Sequence, residues 1–202
     1  MELVLASGSP RRQELLTQLG YSFDILVPDI EEQQQPNESP ESYVRRLAYQ
    51  KALAAADISI QRHAEESLAC EHQVFLGSDT VVVLDGIVFE KPQDLDHSRA
   101  MLTRLSNQKH QVMTAISAVA VKQGVIATSH TELVVTSVWF TELTGQDIEH
   151  YWQTGEPKDK AGSYAIQGVG GKFVKKIEGS YHAVVGLPLF ETEQLLQNFT
   201  DI

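Results

Sequence analysis

One cysteine, Cys70, stands in a chain of 202 residues, so no internal disulfide can form and a thiolate zinc site would lack companions. A long apolar run is also missing. The longest near-continuous one, residues 112–121, contains Thr114 and Ser117 and falls far short of the about 20 residues a membrane-spanning helix needs, so no membrane partner is expected. Positive charge is scarce: 16 Lys and Arg against 27 Asp and Glu give a formal net charge of −11, which argues against a protein that coats nucleic acid by broad electrostatics. A small phosphorylated ligand remains compatible with it. The opening residues have neither the basic start nor the apolar core and small-residue cleavage site of a secretory signal, and the expected location is the cytoplasm. There is no repeat, low-complexity tract or long linker. With 42% hydrophobic residues the length suits one domain, 1–202, or at most two small lobes sharing a core.

What is present alternates between strand-like and helix-like apolar spacing, the pattern of an α/β fold. Residues 2–6 read as a strand running into Ser7-Gly8-Ser9-Pro10. A helix follows, with Ser9 as N-cap, Pro10 at its first position and Gly20 as its stop. Residues 22–27 read as a second strand, followed by an acidic, Gln-rich loop around Glu31 and Glu32. Pro40 opens a second helix reaching about Asp57. Residues 74–76 read as a strand entering Gly77-Ser78-Asp79, and strands 80–84 and 87–89 flank the hairpin signal Asp85-Gly86. After a helix through Met101 and Leu105, residues 111–121, 125–128 and 131–140 predict a meander turning first near Gln123-Gly124. A short helix over 147–153, a Gly-rich stretch over 162–186 and an amphipathic helix over 187–199 complete the chain.

Several positions are chemically unusual. Arg11 and Arg12 fall in the opening turn of a helix, where the dipole is unfavourable to cations, unless an anion is held there by free backbone N–H groups. The alternative is a solvated face. Lys51 lies among Val44, Leu47, Ala48, Ala52 and Ala55 on the apolar stripe of its helix, so its ammonium either reaches a cleft or snorkels to water. Asp79 at a strand end is placed for catalysis or for capping a turn. With Glu31 and Glu32 it could supply the oxygen ligands that Mg²⁺ or Mn²⁺ prefers when shared with phosphates. Lys91, in Glu90-Lys91-Pro92, offers a further cation. The Gly-rich segment around Gln167-Gly168-Val169-Gly170-Gly171 is neither a P-loop nor a dinucleotide fingerprint. Gln167 could read a base edge through its amide, or the segment could be a tight turn. The histidines, His110, His130 and His182 among them, lack metal-ligand spacing.

Taken in order, Leu5-Ala6-Ser7-Gly8-Ser9-Pro10-Arg11-Arg12, Glu31-Glu32, Tyr43-Val44-Arg45-Arg46-Leu47-Ala48, Gly77-Ser78-Asp79-Thr80-Val81-Val82, Glu90-Lys91-Pro92, Gly155-Glu156-Pro157, Asp159-Lys160-Ala161-Gly162, Ile166-Gln167-Gly168 and Gly186-Leu187-Pro188 span essentially the whole chain. Together they resemble the Maf family of nucleoside triphosphate pyrophosphatases. The resemblance implies a two-lobed, inosine-triphosphatase-like α/β fold: a mixed twisted sheet flanked by helices, with a deep central cleft, often as a homodimer. It also implies hydrolysis of a nucleoside triphosphate between the α- and β-phosphates with a divalent metal, Mg or Mn. By the same resemblance Asp79 is the proton acceptor, and Arg11, Thr80 and Gln167 govern substrate choice. Ser7, Arg11, Arg12, Lys51 and Lys91 would hold phosphate, and Glu31, Glu32 and Asp79 the metal. Thr after the Asp resembles the group acting on dTTP and UTP, including modified uridine nucleotides; the alternative with the same chemistry is a pyrophosphatase for a modified purine nucleotide such as N7-methyl-GTP, whose group typically has Gln there. A nucleotide-binding regulator of cell division is the reading from another class.

Overall fold

The computed structural model describes residues 2–66 and 72–199, so Cys70 lies outside the described residues. Seven strands form one mixed sheet, in the order β2-β1-β3-β5-β6-β7 with β4 paired to β3. They are β1 (Glu2–Leu5), β2 (Asp24–Ile25), β3 (His72–Leu84), β4 (Ile87–Phe89), β5 (Lys109–Lys122), β6 (Val125–Phe140) and β7 (Val174–Glu178). The helices are α1 (Pro10–Gln18), α2 (Pro40–Glu66), α3 (Leu95–Leu105), α4 (Gly145–Gln153), α5 (Tyr181–Val185) and α6 (Leu189–Gln197). β1 runs parallel to both β2 and β3, whereas the β3–β4 and β6–β7 pairs are antiparallel. This is the mixed sheet flanked by helices that the motifs implied. No helix among the described residues is long and apolar enough to cross a membrane.

The chain divides into two compact units. The first holds the described residues up to Asp79, Thr114–Leu133 and those from Gly186 onward. One of its apolar clusters joins Val4, Ala6, Phe75, Val119 and Val121 from the strands to Ala52, Ala55 and Ala56 of α2. The second unit holds Thr80–Met113 and Val134–Val185. Its core packs Met101, Leu102 and Leu105 of α3 and Ile148 and Tyr151 of α4 around Val82, Val138, Phe140, Tyr164 and Phe173. β3 therefore changes unit between Asp79 and Thr80.

Several boundaries differ from the sequence reading, each for a physical reason. α2 runs to Glu66 rather than Asp57, since no Gly or Pro interrupts residues 41–66 and Ile58 and Ile60 extend the half-buried side. Residues 72–84 form one strand: Gly77-Ser78-Asp79, expected to separate a strand over 74–76 from one over 80–84, is extended and buried inside it. Residues 125–140 likewise form one strand, because Ser129 and His130 are polar but do not break a ladder as Gly or Pro would. The turn at Gln123-Gly124 holds, with φ of 53° and 76°, and so does the Asp85-Gly86 hairpin, with φ of 52° and 74°. β2 shrinks to two residues at the sheet edge. β7 and α5 emerge from the Gly-rich stretch, where short apolar runs carried too little periodicity to announce them.

Candidate active site

In the first unit the chain leaves β1 through Ala6-Ser7-Gly8-Ser9 and enters α1, with Ala6 N–H bonded to the Leu76 carbonyl at 2.8 Å. Pro10 opens α1 and Ser9 is extended at its N-cap position, but no side chain caps the helix and its first turn carries no acidic residue. The exposed N–H end is therefore left to Ser7 and the two arginines. Arg12 Nη1 donates to Ser7 Oγ at 3.2 Å, and Arg12 Nε donates to the Gly186 carbonyl at 2.9 Å. Ser78 Oγ donates to that same carbonyl at 3.0 Å, which ties β3 to the chain just before α6. Burial lowers the Arg12 pKa, against the opposing pull of Asp79 and Glu32 and with added repulsion from Arg11. Arg11 is half-buried beside it.

β3 places Asp79 in the middle of a strand, not at its end, and leaves it only 6% exposed. What admits an ionisable group there is the close approach of α2 at Gly77. A Cβ on Gly77 would lie 2.2 Å from the Ala48 carbonyl oxygen and 2.7 Å from the Ala52 nitrogen, so only a residue without one lets helix and strand backbones touch. Lys51 belongs to that turn of α2. Its Nζ donates to Asp79 Oδ1 at 2.7 Å and pairs with Glu32 Oε1 at 2.9 Å. Lysine on the apolar stripe is thus a buried partner, not a snorkelling surface charge. Burial pushes the Asp79 carboxyl above its ordinary pKa; Lys51 and Arg12 pull it back only in part, and Glu32 adds to the rise.

Glu32 is delivered by a loop with its own fastenings, which sequence reasoning missed. Tyr43 Oη donates to the Glu32 carbonyl at 3.2 Å. Arg46 binds both oxygens of Glu38, at 2.6 and 2.7 Å, and donates to the Gln33 carbonyl at 2.9 Å. Tyr43 and Arg46 lie three residues apart on one face of α2, so a loop docked on that helix was readable as a spacing but not as a contact. Arg45, by contrast, is exposed and donates to the Thr131 carbonyl. Glu31 lines a groove of about 830 Å³ with Gln33, Gln34, Arg46, Gln50 and Asp57. Glu32 and Asp79 therefore meet on Lys51, while Glu31 lines the groove with Arg46. Among the described residues no three His, Cys, Asp or Glu side chains cluster closely enough to cage an ion by themselves. Two carboxylates suit a Mg²⁺ or Mn²⁺ ion that takes its remaining ligands from phosphates and water.

A model of the Maf-like protein family matches residues 2–199. The chain belongs to the Maf-like family. Among curated proteins this Maf-like chain is 57% identical to the dTTP/UTP pyrophosphatase of Vibrio parahaemolyticus, over 98% of this chain and 97% of that one. It is 54% identical to the protein of that name from Vibrio cholerae, over 98% of each. A solved structure, the nucleoside-triphosphatase / dITP/XTP pyrophosphatase of Mycobacterium abscessus, is 15% identical, with a TM-score of 0.33 over 68% of this chain and 74% of that one.

The second unit of the Maf-like chain carries the other expected residues. Thr80 follows Asp79 and is half-buried. Lys91 is exposed ahead of the buried Pro92, and the Glu90 carbonyl accepts from Gly162 N–H at 3.1 Å. Gln167 is exposed in its glycine-rich loop. His110 is buried and structural: its Nε2 meets Tyr164 Oη at 2.8 Å, and its ring packs edge-on against Phe140. Lys160 pairs with Asp159.

Proposed function

We propose that the chain hydrolyses dTTP and UTP to the nucleoside monophosphate and pyrophosphate. The observation that carries the chemistry is the buried Asp79 carboxylate held on Lys51 beside Glu32, with Arg12 near enough to bias its protonation. The substrate class is supported by full-length identity above half to proteins of that name, and by Thr80 directly after Asp79.

Water attacks the α-phosphorus, its proton passes to Asp79, the bond to the bridging oxygen breaks, and pyrophosphate leaves. A carboxylate whose pKa is raised by burial is the stronger base for that transfer. Lys51 pairs with both Asp79 and Glu32 in the resting protein, offsetting one of their two charges and holding both carboxylates in place without the ligand. Arg12, fixed by Ser7 and Gly186, and Arg11 beside it supply charge for the triphosphate at the open end of α1. By the family resemblance Lys91 also binds phosphate, and Gln167 reads the base through its amide. Glu32 and Asp79, with Glu31 as a further candidate, would hold the divalent ion; when bound, it would offset phosphate charge and lower the pKa of the attacking water. Nucleoside triphosphates as substrate make the cytoplasm the working location.

The test is a nucleotide panel with Mg²⁺ or Mn²⁺ in which pyrophosphate and orthophosphate are measured separately. UTP and dTTP should give pyrophosphate; orthophosphate as the sole initial product would refute the bond assignment, and preference for N7-methyl-GTP would refute the substrate. Asp79→Asn should bind nucleotide but lose at least about 10²-fold in turnover. Near-normal turnover would remove Asp79 from the base role.

A further inference from the structure

One carboxylate outside the Lys51–Asp79 cluster is wholly engaged in holding a loop. Glu156 Oε1 accepts from Tyr151 Oη at 2.7 Å and from Gly170 N–H at 3.0 Å, and Oε2 accepts from Val169 N–H at 2.8 Å. Tyr151 Oη in turn accepts from Ala165 N–H at 3.0 Å. Its ring is fully buried, edge-on to Phe173 with centroids 5.0 Å apart. Backbone N–H groups on both sides of Gln167 thus converge on one Tyr–Glu pair, while Gln167 itself stays exposed.

The glycines show how tightly the loop is wrapped. A Cβ on Gly168 would sit 2.0 Å from Glu156 Oε2, and one on Gly170 would sit 2.5 Å from Tyr151 Oη. Burial raises the Glu156 pKa, but the hydrogen bonds from Gly170, Tyr151 and Val169 together outweigh it, so the group is held below the ordinary glutamate value and stays ionised. An ionised acceptor makes each of these bonds stronger than a neutral one would be.

We propose that Glu156 is the positioning residue for base recognition: it fixes the backbone after Gln167 directly and, through the Tyr151 hydroxyl that holds Ala165, the backbone before it, so the Gln167 amide is already ordered when the pyrimidine arrives. This rests on the reading of Gln167 as the base-reading residue. A uracil or thymine ring presents both carbonyl acceptors and an N–H donor along its edge, and an amide can answer both only if its own orientation is held. Glu156 touches no substrate in this scheme and acts through the loop.

The experiment compares the full-length wild type with Glu156→Gln, Tyr151→Phe, Gln167→Ala and the Glu156→Gln/Gln167→Ala double variant. Steady-state kinetics on UTP and dTTP are joined to amide exchange at Val169 and Gly170. Glu156→Gln should raise KM about ten- to a hundredfold, with kcat within about threefold. The double variant should be no worse than Gln167→Ala alone, because both changes disable one element. Exchange at Val169 and Gly170 should speed up by about tenfold or more. Tyr151→Phe keeps the ring and removes only the hydroxyl, so it should show the same split more weakly, and it serves if Glu156→Gln fails to fold. Additive losses in the double variant, a fall in kcat with KM unchanged, or unaltered exchange would each overturn the proposal. If the wild type hydrolyses neither UTP nor dTTP, the functional reading falls, and the exchange data still decide whether Glu156 holds the loop.

Discussion

Gly77→Ala is the sharpest test of how the site is built. The added methyl would lie 2.2 Å from the Ala48 carbonyl oxygen, 2.7 Å from the Ala52 nitrogen and 3.1 Å from the Ala52 methyl, where ordinary contact begins near 3.4 Å. Two of the three obstacles are backbone atoms inside α2, so no rotamer change relieves them and the helix must retreat by about 1 Å. Lys51 lies in that turn, and its 2.7 Å bond to Asp79 would be stretched beyond hydrogen-bonding range. Overpacking of this kind costs about 2 kcal/mol, and for a chain of this size that lowers the melting temperature by roughly 4–8 °C. A misplacement of about 1 Å costs about 10²-fold in turnover. Thermal melting by circular dichroism and steady-state release of pyrophosphate from UTP read the two effects. Gly145→Ala is the control, since a Cβ there meets nothing within 4 Å and should change stability by no more than about 0.5 kcal/mol. Wild-type melting and turnover in Gly77→Ala would refute the close approach as the cause of the Lys51–Asp79 geometry. Lower melting with turnover intact would refute only the link to catalysis.

Two further outcomes follow from the charges. Lys51→Met leaves Asp79 buried without its main counter-charge, so in metal-free buffer its pKa should rise further and stability at neutral pH should fall by about 3–5 kcal/mol. A raised carboxyl pKa contributes stability that is fully present below the unfolded value and lost as pH rises through the folded one. Urea midpoints of the variant should therefore recover toward wild type near pH 4, and a gap independent of pH would refute the assignment. His110 has the opposite sign: burial depresses it from 6.5 to about 4, so its contribution is complete above pH 6.5 and is lost as pH falls toward 4. That shift is worth about 3 kcal/mol. His110→Phe should show a correspondingly shallower loss of stability between pH 7 and pH 4 in urea melts, and an unchanged slope would acquit His110.

Strong local signals translated directly into structure. Pro10 and Gly20 bracket α1, the latter with φ of 82°; Asp85-Gly86 and Gln123-Gly124 make the turns their chemistry requires, since both demand positive φ. Weak ones did not. Gly77-Ser78-Asp79 has the composition of a turn, yet it is strand, because burial between α2 and its neighbours in the sheet outweighs local propensity. Glu31 and Glu32 are indistinguishable in sequence, but the Tyr43 and Arg46 contacts present one to Lys51 and leave the other in the groove wall. Glu156 was visible as part of a motif; that both its oxygens are spent on the Gln167 loop was not, because its bonds run to backbone N–H groups that carry no residue identity.

The scarcity of lysine and arginine in the chain, and the helical spacing that put Lys51 on an apolar stripe, were enough to predict a small anionic ligand over a polyanion and to mark the cation worth following. Sequence also determined the starts of α1 and α2, the two tight turns and the family, since these depend on residue type within a few positions of the chain. Only the tertiary structure decided which carboxylates meet: Asp79 and Glu32 are 47 residues apart in the numbering and come together on one ammonium. The distance that unites them is set by a missing Cβ at Gly77. Close packing is a property of surfaces brought together from remote segments, and no local pattern encodes it.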